Sequence, residues 1–157
     1  MKLKLIYAFA LLFTITIFSA TAQSSNKKES LKLVKYRDNV KAPLTIIEKG
    51  MLEEVFASKF EEYILKRPQA LKNYKHLLRN RIQIINMPDL VECKEKYQLL
   101  SEVGLFNDYN KDLKIDKGYN AQNFNILKYN VRIHGRGSSL YRIDNSNYFV
   151  IIKSQHQ

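Results

Sequence analysis

Two groups of cationic side chains have the spacing needed to hold an anion. In PQALKNYKHLLRN, a helical projection places Lys72, Lys75, His76 and Arg79 on one side. Lys66, Arg67 and Arg81 flank them, and no acid lies between Glu62 and Asp89. A cationic face of this kind suits an anionic lipid or a polyanion. The simpler reading is a solvated helix face opposite an apolar stripe. No aromatic side chain shares the face, so base stacking lacks its platform and no nucleic-acid partner is expected. The second group alternates along LKYNVRIH, where Lys128, Arg132 and His134 share one strand face. Arg142 joins them from the neighbouring strand if the register brings it to the same face, with Arg136 in the intervening turn. Gly135 and Gly137 would let that turn present N–H groups to an anion, although a plain hairpin turn accounts for the same glycines.

Other chemistries find less to work with. Asp108, Asn110 and Asp112 have the first spacings of a calcium loop, but Leu113 stands where the loop needs glycine and Tyr119 where it needs glutamate. An Asx-rich turn is the better expectation, and no metal or cofactor is expected. His76, His134 and His156 are scattered, and HExxH, CxxC, GxSxG and the phosphate-binding GxxxxGK[ST] pattern are absent from the sequence. Glu53-Glu54 and Glu61-Glu62 read as solvated charge and helical partners, such as Glu62 with Lys66. The alternative, a secreted hydrolase acting on envelope or extracellular polymers, needs His76 or His134 within reach of a carboxylate or hydroxyl. Cys93 is the only cysteine, so no internal disulfide framework is possible, and a small buried apolar residue is the expectation.

The elements that must position these groups follow from periodicity. Leu52, Val55, Phe56, Phe60, Tyr63 and Ile64 recur at three- and four-residue steps, predicting an amphipathic helix over about 49–66, just after Gly50. Pro68 suits the first turn of a second helix, whose stripe is Ala70, Leu71, Tyr74, Leu77 and Leu78. IQIINM at 82–87 is short and β-branched, hence a strand. LKLVKY at 31–36 is apolar enough for another, and a further strand is expected near 97–103. Residues 107–125 read as a long polar loop. LKYNVRIH, LYRI and YFVIIK, separated by GRGSS and DNSN, predict a three-stranded antiparallel meander whose last strand is covered on both faces. Helices first and strands last indicate α+β, an N-terminal helix pair packed with a C-terminal β-meander.

The start of the chain decides the compartment. Lys2 and Lys4 precede an uncharged apolar run, Leu5 to Phe18, and Ala20-Thr21-Ala22 supplies a small-residue cleavage pattern. These are the three regions of a secretory signal peptide, and the run is short for a permanent span. The expected organisation is a signal peptide at 1–22, a flexible polar segment at 23–30 and one domain at 31–157. Cleavage removes two lysines and no acid, so the net charge falls from +11 to +9. That surplus, carried by 17 Lys against 7 Arg, favours anionic polysaccharide or lipid surfaces over bidentate phosphate recognition.

LLSEVGLFNDYN and the closing LYRIDNSNYFVIIKSQ, behind a leader ending SATAQ, resemble small exported proteins of Bacteroidota. The resemblance implies export to the periplasm or the medium and a β-rich end, and it brings no site residues. The sequence therefore leads to an exported, non-catalytic binding or envelope-associated protein.

Overall fold

The computed structural model describes residues 34–90 and 96–156. The leader, the polar segment, the first half of LKLVKY and Cys93 lie outside the described residues. Helix α1 spans Ile46–Phe56. It starts three residues before the position the apolar spacing marks, because Thr45 and Glu48 form a capping box. The Glu48 N–H donates to Thr45 Oγ1 at 3.1 Å and the Thr45 N–H donates to Glu48 Oε2 at 2.8 Å. Gly50 thus lies inside the helix rather than before it.

The long helix expected over 49–66 is interrupted. Ala57 has φ 45°, which stops α1, and a 3₁₀ turn (Ala57–Lys59) and a π turn (Glu61–Leu65) carry the chain on. Leu52, Val55, Phe56, Phe60 and Ile64 are nevertheless all buried. The π turn changes the ion pairing: Lys66 meets Glu61 at 3.2 Å, five residues back, while Glu62 pairs with Lys59 at 3.0 Å. Helix α2 (Pro68–His76) starts with Pro68 in its first turn and passes into a second π turn, Leu77–Arg81.

That turn feeds strand β1 (Ile82–Asn86). Strands β2 (Ser139–Arg142) and β3 (Tyr148–Ile152) form a hairpin whose turn holds Asn145 at φ 51°. The sheet order is β1-β3-β2, antiparallel throughout, with Ile82 and Ser139 both opposite Ile152. Phe149, Val150 and Ile152 of this central strand are buried, as its apolar faces require.

The third strand therefore comes from 82–86, and 127–134 is not a strand. Residues 126–128 make a 3₁₀ turn, and Tyr129 forms one isolated bridge with Leu105. Leu127, Tyr129 and Val131 are buried, but so is Lys128, whose ammonium finds acids inside. Residues 34–36 and 97–103 form no ladder strand either; Leu100–Val103 is one helical turn, α3, capped by Asp144 through the Ser101 N–H at 3.1 Å.

The 107–125 stretch has no regular structure but is tied down. Tyr109 stacks on Phe56 at 5.1 Å, and Tyr119 lies 4.2 Å from Tyr148 between ring centroids. Asn125, 1% exposed, donates to Met51 O and to Glu54 Oε2 at 2.8 Å each. One core joins the helical half (Leu52, Val55, Phe56) to the sheet (Tyr141, Val150, Ile152) through Ile126 and Leu127. The architecture is mixed α+β. Among the described residues no helix is long and apolar enough to cross a membrane.

Candidate functional site

The first cationic group does not form a solvated stripe. A π turn has more residues per turn than the α-helix used for the projection, so Arg79 and Arg81 are rotated away from the expected line. Lys75 is buried and donates from Nζ to Ala42 O at 2.9 Å. His76 is buried edge-on to Tyr36, with ring centroids 5.1 Å apart. Its Nδ1 faces the Asn80 amide nitrogen at 3.2 Å, which makes Nδ1 the acceptor of a neutral ring. Burial, then the nearby Arg81 and Arg37 charges, hold His76 below the usual histidine range.

Arg79 is fully engaged. Nε and Nη2 form a fork on the Glu48 carboxylate at 2.6 Å each, and both side chains are only 12% exposed. Nη1 reaches Asn39 O and Ala42 O, and Nη2 reaches Pro43 O. Arg79 thus staples the segment before α1 onto the end of α2, which is a structural assignment rather than a surface one. The guanidinium holds the Glu48 carboxyl below its ordinary range, against an opposing push from burial.

Lys72 is the member of the predicted stripe that stays exposed. Its Nζ lies 4.2 Å from the Tyr36 ring centroid. Tyr36 is itself pinned to α2, donating to Asn73 Oδ1 at 2.5 Å and accepting from Gln69 Nε2 at 2.8 Å. Between this segment and α2 runs a groove of about 420 Å³ whose lining includes Arg37, Lys41, Lys72 and Lys75 against one acid, Asp38. Arg37 and Lys41 escape a periodicity argument because they precede the helix and reach it through tertiary contacts, those of Tyr36, Lys75 and Arg79 among them.

The second group is also dispersed. Lys128 is buried in an ion pair with Asp116 at 2.6 Å, with Glu54 at 3.7 Å. Arg142 lies on β2, and its Nε is buried without a hydrogen-bond partner. Arg132 and His134 stay exposed on the irregular segment, where they edge a cleft of about 390 Å³. Its walls are largely apolar, with Phe56 and Val131 among them. A second cleft of about 260 Å³ carries Tyr36, His76, Arg81 and His134. Tyr74, Ile133 and His134 line both.

Among the described residues no histidine–carboxylate pair of the kind a hydrolase would use forms at these clefts. The ring partner of His76 is an amide, and His134 hydrogen-bonds to no described carboxylate or hydroxyl. In the loop expected to be an Asx-rich turn, the Asp112 N–H donates to Asn110 Oδ1 at 3.0 Å and Asn110 Nδ2 donates to Glu54 O at 2.7 Å. Among the described residues no three His, Cys, Asp or Glu side chains converge on a metal position. Comparison with known proteins finds no matching family model, curated protein or solved structure.

Proposed function

We propose that the protein is exported and acts without catalysis as a binding protein at the cell envelope, contacting an anionic glycan or lipid surface through the groove beside α2. The observation that carries this reading is the charge of that groove: Arg37, Lys41, Lys72 and Lys75 line it with a single carboxylate, Asp38, among the described residues. Asp38 is itself paired with Lys41 at 2.8 Å on a highly exposed surface, where water and salt weaken the pair. Lysine-dominated charge of this kind suits diffuse attraction to a polyanion rather than recognition of one phosphate.

The test is binding of the processed chain to lipopolysaccharide, an acidic polysaccharide, phosphatidylglycerol vesicles and neutral dextran over a salt series. Binding to an anionic partner at low salt, lost as the Debye length shortens, supports the reading, and the glycan and lipid arms separate the two sources. The double reversal Arg37→Glu with Lys72→Glu removes that binding. Equal retention of neutral dextran, or affinity indifferent to salt, counts against the groove. Export has its own measurement: intact mass of protein recovered from the producing cell begins at Gln23, and retention of Met1 there refutes it.

A further inference from the structure

We infer that the two clefts sharing Tyr74, Ile133 and His134 form one binding site for an amphiphilic monocarboxylate, its carboxylate on Arg81 and its apolar tail against Phe56 and Val131. This goes beyond the envelope contact and uses different cations.

Arg81 is 6% exposed, yet its partners are neutral. Nε donates to Lys153 O at 2.8 Å and Nη2 to Ile133 O at 2.6 Å, and no carboxylate pairs with it among the described residues. A buried guanidinium ordinarily has a counter-charge, because two carbonyl dipoles do not replace the hydration of a full ion. Among the described residues the cleft it lines contains no Asp or Glu. The adjoining cleft adds Arg132 and, again, no acid. Arg81 and Arg132 therefore stand with His76 and His134 around a volume that, among the described residues, holds no negative side chain.

The neighbours supply donors for the same anion. Tyr74 lines both clefts, and its hydroxyl is bonded to no described residue. Burial, then the nearby Tyr109, holds it above the usual tyrosine range, so its proton stays available to an acceptor in the cleft. Arg81 is the buried guanidinium and Arg132 an exposed one, so the desolvated end matches one negative charge, and the Arg81 N–H groups not spent on Lys153 O and Ile133 O are left for a carboxylate. The larger cleft then sets the rest of the ligand. Its walls are mainly hydrocarbon, which rewards an apolar tail.

The probes are decanoate, decanol and decyltrimethylammonium, titrated calorimetrically into the processed full chain below their micellar concentrations. Saturable one-to-one binding of decanoate is expected, with decanol at least tenfold weaker and the cation not bound. Arg81→Lys lowers decanoate affinity at least tenfold. His134→Glu, at an exposed position that leaves folding intact, lowers it by a similar factor even if the Arg81 variant does not fold. Arg37→Glu with Lys72→Glu leaves decanoate affinity within about twofold, which separates this site from the envelope groove. Absence of saturable decanoate binding, decanol within threefold of decanoate, or indifference to His134→Glu overturns the assignment.

Discussion

Replacing Arg79 with methionine distinguishes a staple from a solvated cation. The change keeps the length and apolar stem of the side chain and removes only the guanidinium. In the fold that guanidinium forks onto Glu48 at 2.6 Å on both arms and binds carbonyls of the segment before α1. Removing one partner of a buried pair costs about 3–5 kcal/mol, because the other charge is left without compensation. Both side chains are 12% exposed, so water reaches the orphaned carboxylate in part and the lower figure applies. Arg79→Met should therefore destabilise by about 3 kcal/mol, on the order of 10 °C in melting temperature for a domain of this size. Glu48→Gln retains an acceptor for the Thr45 N–H and should cost about 2 kcal/mol, with a double variant well short of the sum. Urea unfolding at neutral pH measures all three, and the costs should persist at high salt because the pair is largely out of water. A surface cation would change stability by less than about 0.5 kcal/mol. If Arg79→Met falls inside that limit, or if the two substitutions are additive, the staple does not exist.

Three further outcomes test the local physics. Gly50→Ala, at an exposed site within α1 where an added Cβ meets nothing within 4 Å, should stabilise by about 0.5–1 kcal/mol, and Ala57→Gly should do so by about 1 kcal/mol by relieving a φ of 45°; denaturant midpoints above wild type are the expected result for both. Because burial lowers the folded pKa of His76 below its ordinary 6.5, the unfolded chain takes up the proton first, so stability present above that pH is lost as pH falls toward the folded value; His76→Gln should flatten this limb in melting temperatures taken from neutral to mildly acidic pH. Asn125→Ala strips the buried bonds to Met51 O, Glu54 and the Leu127 N–H and should cost about 2–3 kcal/mol, while Asn125→Asp places a charge beside Glu54 and should cost more; chemical denaturation of the two variants ranks them.

The parts of the fold that were legible are those that depend on spacing alone. Leu52, Val55, Phe56, Phe60 and Ile64 point inward even though Ala57 breaks the helix between them, since each repeat unit still returns to the same side. Pro68 marked a helix start because its missing N–H has no cost there. The strands at 82–86 and 148–152 followed from β-branched composition. The alternation at 127–133 misled because it reports burial, not pairing. Leu127, Tyr129 and Val131 are inside, but their backbone turns toward 104–106, with the Phe106 N–H donating to Lys128 O at 2.7 Å.

The candidate site was less legible, for one reason. A lysine or arginine with no acid nearby in sequence looks solvated, whatever surrounds it in space. Glu48 lies 31 residues before Arg79, and Asp116 lies 12 before Lys128. Spacing, composition and proline placement were enough to determine which side chains turn inward, because those are properties of a few consecutive residues. Which cations are neutralised, which are buried with carbonyls as partners and which line a cleft was decided by the tertiary structure, because counter-charge and desolvation depend on neighbours that the chain supplies from far away.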